Sequence, residues 1–249
     1  MMGTDSMTEF TNTSNADPIL ITSSVGRRGF LGGIIATGAL ALPGCTSLGG
    51  LGGFTLTDAI REMLLLSSDR AFARLTADGG YWDDQVERVG LGRIMGTRGD
   101  VLSRILTSGL FKNQLQNAFA DIAIEGAERA APLVADTVRT IGFANAVDLV
   151  RGGPSAATSF LRGSMGRSLV EVMVPELGQA MRVARDPVLG QALGALTGVD
   201  VGSIAANFAG EIDNSIWNEM GREEALIRAN PEATRNPAII GVFGTAARF

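Results

Sequence analysis

Carboxylates dominate the groups in this chain that could do acid–base chemistry, because its 249 residues include no histidine and one cysteine. Three clusters stand out. Glu223, Glu224 and Arg228 fall on one predicted helix. Glu224 and Arg228 are spaced i, i+4, where a surface ion pair contributes about 0.3–0.5 kcal/mol. A solvated helix face accounts for the trio. The sharper alternative is a buried pair between Arg162, on another helix, and Glu223 or Glu224, which would fix how the two helices meet. Removing one partner of such a pair costs ~3–5 kcal/mol.

Asp121, Glu125 and Glu128 are four and three residues apart and share one helix face. Carboxylates so placed could hold Mg²⁺ or act as an acid–base pair; a solvent-facing stripe is the plainer account. Asp83, Asp84 and Glu87 follow Tyr81-Trp82. They form either a partner or ligand loop, or an exposed turn with Trp82 packed onto the core. Ser103, Ser108, Ser164 and Ser168 have no histidine to activate them, and no Ser-x-x-Lys pattern is present. Gly152-Gly153-Pro154 reads as a helix break, not a phosphate loop.

The lone Cys45 closes the run Leu42-Pro43-Gly44-Cys45 behind an apolar stretch from Phe30 to Leu42. That order resembles a bacterial lipobox and makes Cys45 the lipidated first residue of a mature protein. Thirteen helical residues span roughly 20 Å, short of the ~30 Å hydrocarbon core, so the stretch is the apolar part of a signal segment. Arg27-Arg28-Gly29-Phe30-Leu31 in front of it resembles a twin-arginine export signal, with Arg27, Arg28, Phe30 and Leu31 carrying the pattern. General export of the precursor is the alternative route. An acylated cysteine carries at least two chains, each buried CH₂ contributing about 0.8 kcal/mol, so the anchor is effectively permanent. By resemblance to other lipoproteins, Thr46 after the cysteine implies the outer membrane, on the periplasmic side.

Composition narrows the chemistry. Without the first 44 residues the chain has 205, enough for one sizeable domain. The two arginines and three acids lost with that segment leave nineteen basic and twenty-three acidic residues, a net charge near −4. Such a domain is a poor nucleic-acid binder, since phosphate contacts need clustered cations. With no histidine and no free thiol after lipidation, His-assisted triads, ordinary zinc sites and His-ligated haem are excluded. No cofactor is expected. Oxygen-only cation sites stay open.

The elements that must position these groups are helices. Apolar residues recur at helical spacing from Thr57 to Thr76, with Ile60, Met63, Leu64, Ala71, Phe72 and Leu75 on one side. Ala77 to Gly99 reads as a long loop with at most one short helix at Asp84–Val89. Asp100 caps a short helix before Gly109. Phe111 to Ala130 is a long helix with Leu115, Phe119, Ile122 and Gly126 on one face. Pro132 opens the next, to Ile141. Another spans Phe143 to Arg151 and stops at Gly152-Gly153. Pro154 opens the segment carrying Phe160, Leu161 and Leu169, and Pro175 starts a new helix or kinks that one. Asp186-Pro187 opens a helix to Leu196. Gly190, Gly194, Gly198 and Gly202 predict close helix packing, with a membrane hairpin as an alternative that Pro187 and Asp200 interrupt. Ile204, Phe208, Ile212 and Ile216 form a buried stripe, Glu223 to Ala229 continues as helix up to Asn230-Pro231, and Asn236-Pro237 starts the last turn. Period-two alternation is absent. The expectation is an all-α protein: a single irregular bundle of eight to ten helices at 56–244, after a signal segment (1–44) and a flexible tether (45–55), with a short tail at 245–249.

Three stretches then resemble the bacterial envelope family called domain of unknown function 4197. They are Glu128-Arg129-Ala130-Ala131-Pro132, the run from Gly152 to Arg162 (Gly-Gly-Pro-Ser-Ala-Ala-Thr-Ser-Phe-Leu-Arg), and the run from Glu223 to Pro231 that leads to Val242-Phe243-Gly244. The resemblance extends from Leu56 to Gly244. It implies a helical, exported protein with no established activity. This chain differs from the pattern at Arg222, where an acid is usual, at Asn145, Gly163 and Pro237, and through the segment after Gly79.

Two functions follow as expectations. One is a lipid-anchored, non-catalytic binding or interaction module, held to the membrane through Cys45 and engaging an envelope protein or an apolar ligand. Arg162, Phe160, Glu223, Glu224, Arg228 and Trp82 are its candidate binding or structural residues. The alternative is a carboxylate-based hydrolase acting on a cell-wall or lipid substrate, for which no pair of carboxylates can be placed from sequence.

Overall fold

The computed structural model describes residues 54–77, 80–96, 108–183, 187–195 and 200–246. Cys45, Arg27, Arg28, Phe30, Leu31, the tether up to Gly53 and residues 97–107, where a helix was expected after Asp100, lie outside the described residues. Within them the protein is all-α, with ten α-helices and one 3-10 turn. In chain order the helices are α1 (Leu56–Leu75), α2 (Tyr81–Val89), α3 (Leu91–Ile94), α4 (Gly109–Thr140), α5 (Ala146–Arg151), α6 (Ala156–Met165), α7 (Ser168–Val183), α8 (Pro187–Ala195), α9 (Val201–Ala229) and α10 (Pro237–Ala246), with the 3-10 turn at Pro231–Thr234.

Helix α9 is the axis of the bundle. Its stripe Ile204, Phe208, Ile212 and Ile216 is fully buried, and it packs chiefly on α7 and α1. Phe208 meets Phe119 of α4 edge to face, ring centroids 5.1 Å apart. Where α4, α7 and α9 converge, a Cβ on Gly126 would sit 3.1 Å from Ile212 and 3.2 Å from Leu177. Glycine there lets the three helices close on one another. The six apolar residues expected on the inner face of α1 are all buried.

Helix starts follow local chemistry. Thr55 and Asp58 form a reciprocal capping box on α1. The Thr55 backbone N–H, then its hydroxyl, donate to the Asp58 carboxylate and hold its pKa below the ordinary value. Asn236 Oδ1 accepts from the N–H groups of Ala238 and Ile239 at 3.0 and 3.2 Å and so caps α10.

Several expectations need correction. Pro132 does not open a helix; it lies inside the continuous 32-residue α4. Its ring is exposed, so the Glu128 carbonyl left without a helical donor can face water. Ala127, Ala130, Val134 and Val138 on the buried side hold the helix together across that gap. Pro175, also exposed, likewise sits inside α7. The segment after Ala77 is not a long loop, because α2 and α3 occupy most of it. The helix before Gly152 begins at Ala146, not Phe143. The close packing expected of the spaced glycines fails at Gly190, which has open space, and at Gly202, which meets only its own capping Asp200. No helix among the described residues is long and apolar enough to cross a membrane.

Candidate functional site

The turn between α5 and α6 brings together the two segments richest in predicted site residues. Helix α5 ends at Gly152 with carbonyls that need donors, and α6 begins after Ser155 with N–H groups that need acceptors. One ion pair from α9 serves both ends. Glu224 Oε1 accepts from Ala157 N–H at 3.0 Å and Oε2 from Thr158 N–H at 2.7 Å. Arg228 Nε donates to Glu224 Oε1 at 2.8 Å. Its Nη1 and Nη2 donate to the carbonyls of Val150 and Leu149 at 2.9 and 2.8 Å, and its guanidinium lies 4.9 Å from the Phe243 ring centre in α10. A negative charge thus sits at a helix start and a positive one at a helix end, as the helix dipoles favour. The solvated-face account therefore fails for Glu223, Glu224 and Arg228 alike, whose side chains are buried or nearly so. Glu224 is fully buried, and its neighbour Glu223 holds Arg222 at 2.8 Å.

Arg162 does not pair with Glu223 or Glu224. About three turns nearer the start of α9, its Nη2 donates to Asp213 Oδ2 at 3.0 Å and to Asn214 Oδ1 at 2.7 Å. Asp213 Oδ1 accepts from the Trp217 indole N–H at 2.8 Å. Sequence reasoning missed Asp213, although a signal was present: an acid beside the apolar stripe, four residues before a tryptophan that needs an acceptor when buried. Glu224 was unavailable to Arg162 because the α6 backbone and Arg228 already filled its oxygens. Phe160 packs against Phe143 with centroids 5.8 Å apart, which ties α6 to the connection before α5.

Beside this junction lies a cleft of about 240 Å³ between α6 and α9, walled by Pro154, Ser155, Thr158, Ser159, Arg162 and Trp217, with Asn218, Gly221 and Ala225 completing it. A Cβ on Gly221 would come within 3.2 Å of the Ser155 Cβ, so glycine permits the two helices to approach here. Thr158 is buried, and its Oγ1 has no hydrogen-bond partner among the described residues.

The other clusters are simpler. Trp82 is buried, its indole N–H donating to the Leu75 carbonyl at 2.6 Å; it fastens the start of α2 to the end of α1. Asp83, Asp84 and Glu87 are exposed on α2, so the ligand-loop alternative gives way to a short amphipathic helix. Asp84 shares a second cleft with Arg74, Tyr81, Arg88 and Glu219. Glu219 Oε2 is engaged there by Arg74 at 3.4 Å and Arg222 at 3.0 Å. Burial pushes the Tyr81 phenol above its ordinary pKa, with the Glu219 carboxylate adding to the effect against the Ser215 hydroxyl and nearby arginines. Asp121, Glu125 and Glu128 are exposed on α4. Among the described residues, no three acidic, cysteine or histidine side chains gather as a metal site.

The family model described as "Protein of unknown function (DUF4197)" matches residues 50–244. Neither a curated protein nor a solved structure matches the chain.

Proposed function

The chain belongs to the DUF4197 family, whose function is unknown, and we propose that it is a lipid-anchored protein of the bacterial envelope working as a non-catalytic helical binding module. The anchor is read from sequence, from the arginine pair, the apolar run and Cys45 in that order. The binding role rests on one contrast at the α5–α6 turn. Glu224 and Arg228 are consumed by helix ends, whereas Ser155, Ser159 and Asn218 of the adjoining cleft have no side-chain partner among the described residues. Charges committed to backbone partners make poor general acids or bases, because proton transfer would break the scaffold. Uncommitted hydroxyls at a surface cleft suit recognition.

A carboxylate hydrolase remains the competing reading through the cleft that Asp84 and Glu219 share. Arg74 and Arg222 both engage Glu219 Oε2, which gives that carboxylate a structural part in tying α1 to α9.

Membrane fractionation of cells carrying Cys45→Ala tests the anchor. The expected result is a protein found in the soluble periplasmic fraction, or retained as uncleaved precursor, while the wild type sediments with membranes. A variant that is both processed and membrane-bound would end the lipid-anchor proposal.

A further inference from the structure

We infer that the cleft between α6 and α9 binds a neutral, hydroxylated ligand the size of one sugar ring. The inference rests on the binding-module reading above and supplies its ligand class. Three side chains open to the cleft carry polar groups with no hydrogen-bond partner among the described residues: Ser155, Ser159 and Asn218. Their freedom has a structural origin. Ser155 stands at the cap position of α6, where a serine hydroxyl ordinarily accepts from the second or third backbone N–H of the helix. Those two N–H groups, from Ala157 and Thr158, are taken by Glu224. The Ser155 hydroxyl is displaced from its usual work and left at the cleft. Thr158 Oγ1 also lacks a partner among the described residues, but it is closed off from solvent and therefore from a ligand in the cleft.

The charge balance selects the ligand. Arg162 is the one cation in the wall, and its Nη2 is held by Asp213 and Asn214. Its charge is therefore largely compensated, and Asp213 stands behind it to oppose a bare anion. Serine and asparagine side chains each both donate and accept. A phosphate or carboxylate would use only their donors. A polyol uses both, because each of its hydroxyls also donates and accepts. Pro154, Ala225 and the Trp217 ring give the cleft an apolar component to meet ring carbons. The volume of about 240 Å³ falls just below the ~300 Å³ lower end of ordinary ligand pockets, which limits occupancy to a single ring, free or at the end of a glycan.

Saturation-transfer NMR on the full-length chain, held in a detergent without a sugar headgroup, tests this directly. Glucose and N-acetylglucosamine are the probes, and inorganic phosphate followed by ³¹P line width is the control. Ring protons of at least one sugar should receive saturation from the wild type. Asn218→Ala and Ser155→Ala should each weaken that sugar about five- to tenfold, the effect of one lost hydrogen bond. Ser155→Ala should meanwhile melt as the wild type does, since the Ser155 hydroxyl caps no N–H of α6. A purely structural role would move the melting temperature and not the affinity. Silence from both sugars, equal affinity in wild type and both variants, or broadening of phosphate with the sugars silent would each overturn the inference. If the sugars are silent while Cys45→Ala still releases the protein from membranes, the ligand class alone is wrong and the anchor stands. A terminal-sugar glycan that transfers as the monosaccharide does would identify the source as a polymer end.

Discussion

Two glutamate–arginine pairs in this protein share the same spacing and lead opposite lives. Glu125 and Arg129 of α4 are i, i+4, 3.5 Å apart, with side chains 47% and 52% exposed. Glu224 and Arg228 of α9 are also i, i+4, but 2.7 Å apart, with side chains 0% and 12% exposed. Arg129 reaches a second acid, Glu176 of α7, at 3.5 Å, yet it remains in water. Arg228 reaches two backbone carbonyls and an aromatic ring. Water screens the first pair and would replace either partner at little cost. The second replaces water at two helix ends, so each partner leaves the other stranded if removed. Identical spacing therefore says nothing about energetic weight; the surroundings of each pair decide it.

That contrast can be broken most forcefully at Glu224. Replacing Glu224 with alanine strips two α6 amides and a buried guanidinium of their acceptor, and should lower unfolding free energy by about 3–5 kcal/mol in urea denaturation. Adding Arg228→Ala to that variant should cost far less than Arg228→Ala alone, because the partners are coupled. Additive losses would mean that the two residues act independently and that the junction is misread. An intermediate effect is expected at Arg162, whose side chain is 42% exposed. Arg162→Ala should cost ~1–2 kcal/mol after solvent screening is allowed for, since Asp213 keeps its bond from Trp217. A thermal melt indistinguishable from wild type would show that the Asp213–Asn214 contact carries no stability. The smallest effect belongs to the exposed pair. Glu125→Ala should change stability by no more than about 0.5 kcal/mol, and any loss should shrink as salt is raised. A loss as large as that at Glu224 would erase the distinction between the two regions.

How much of this was legible depends on what each signal measures. Periodicity measures which face of a helix is apolar, so the α9 stripe and the inner face of α1 were read correctly residue by residue. Proline rules measure local cost, and they misplaced the start expected at Pro132. A missing hydrogen bond facing solvent is cheap when the opposite face of the helix is buried. The segment from Ala77 to Gly99 read as a long loop, but burial of Trp82 and Val86 draws its middle into a helix. At the candidate site, Glu224, Arg228 and Arg162 were all singled out, yet their pairing was not. Arg162 could have reached several acids on α9, and which one is free depends on the α6 amides that already occupy Glu224.

The amino-acid sequence by itself determined the helical class, the buried stripes, the breaks at Gly152-Gly153 and Asn230-Pro231, the family, and the absence of histidine chemistry. Each of these follows from residue type and spacing along one chain. Only the tertiary structure decided that Glu224 and Arg228 close two helix ends, that Arg162 turns to Asp213, and that three polar side chains beside them are left without partners among the described residues. Those outcomes depend on which backbone groups arrive at the same place. Helix ends carry their unsatisfied amides and carbonyls wherever packing puts them, and no spacing rule within one helix records the position of another.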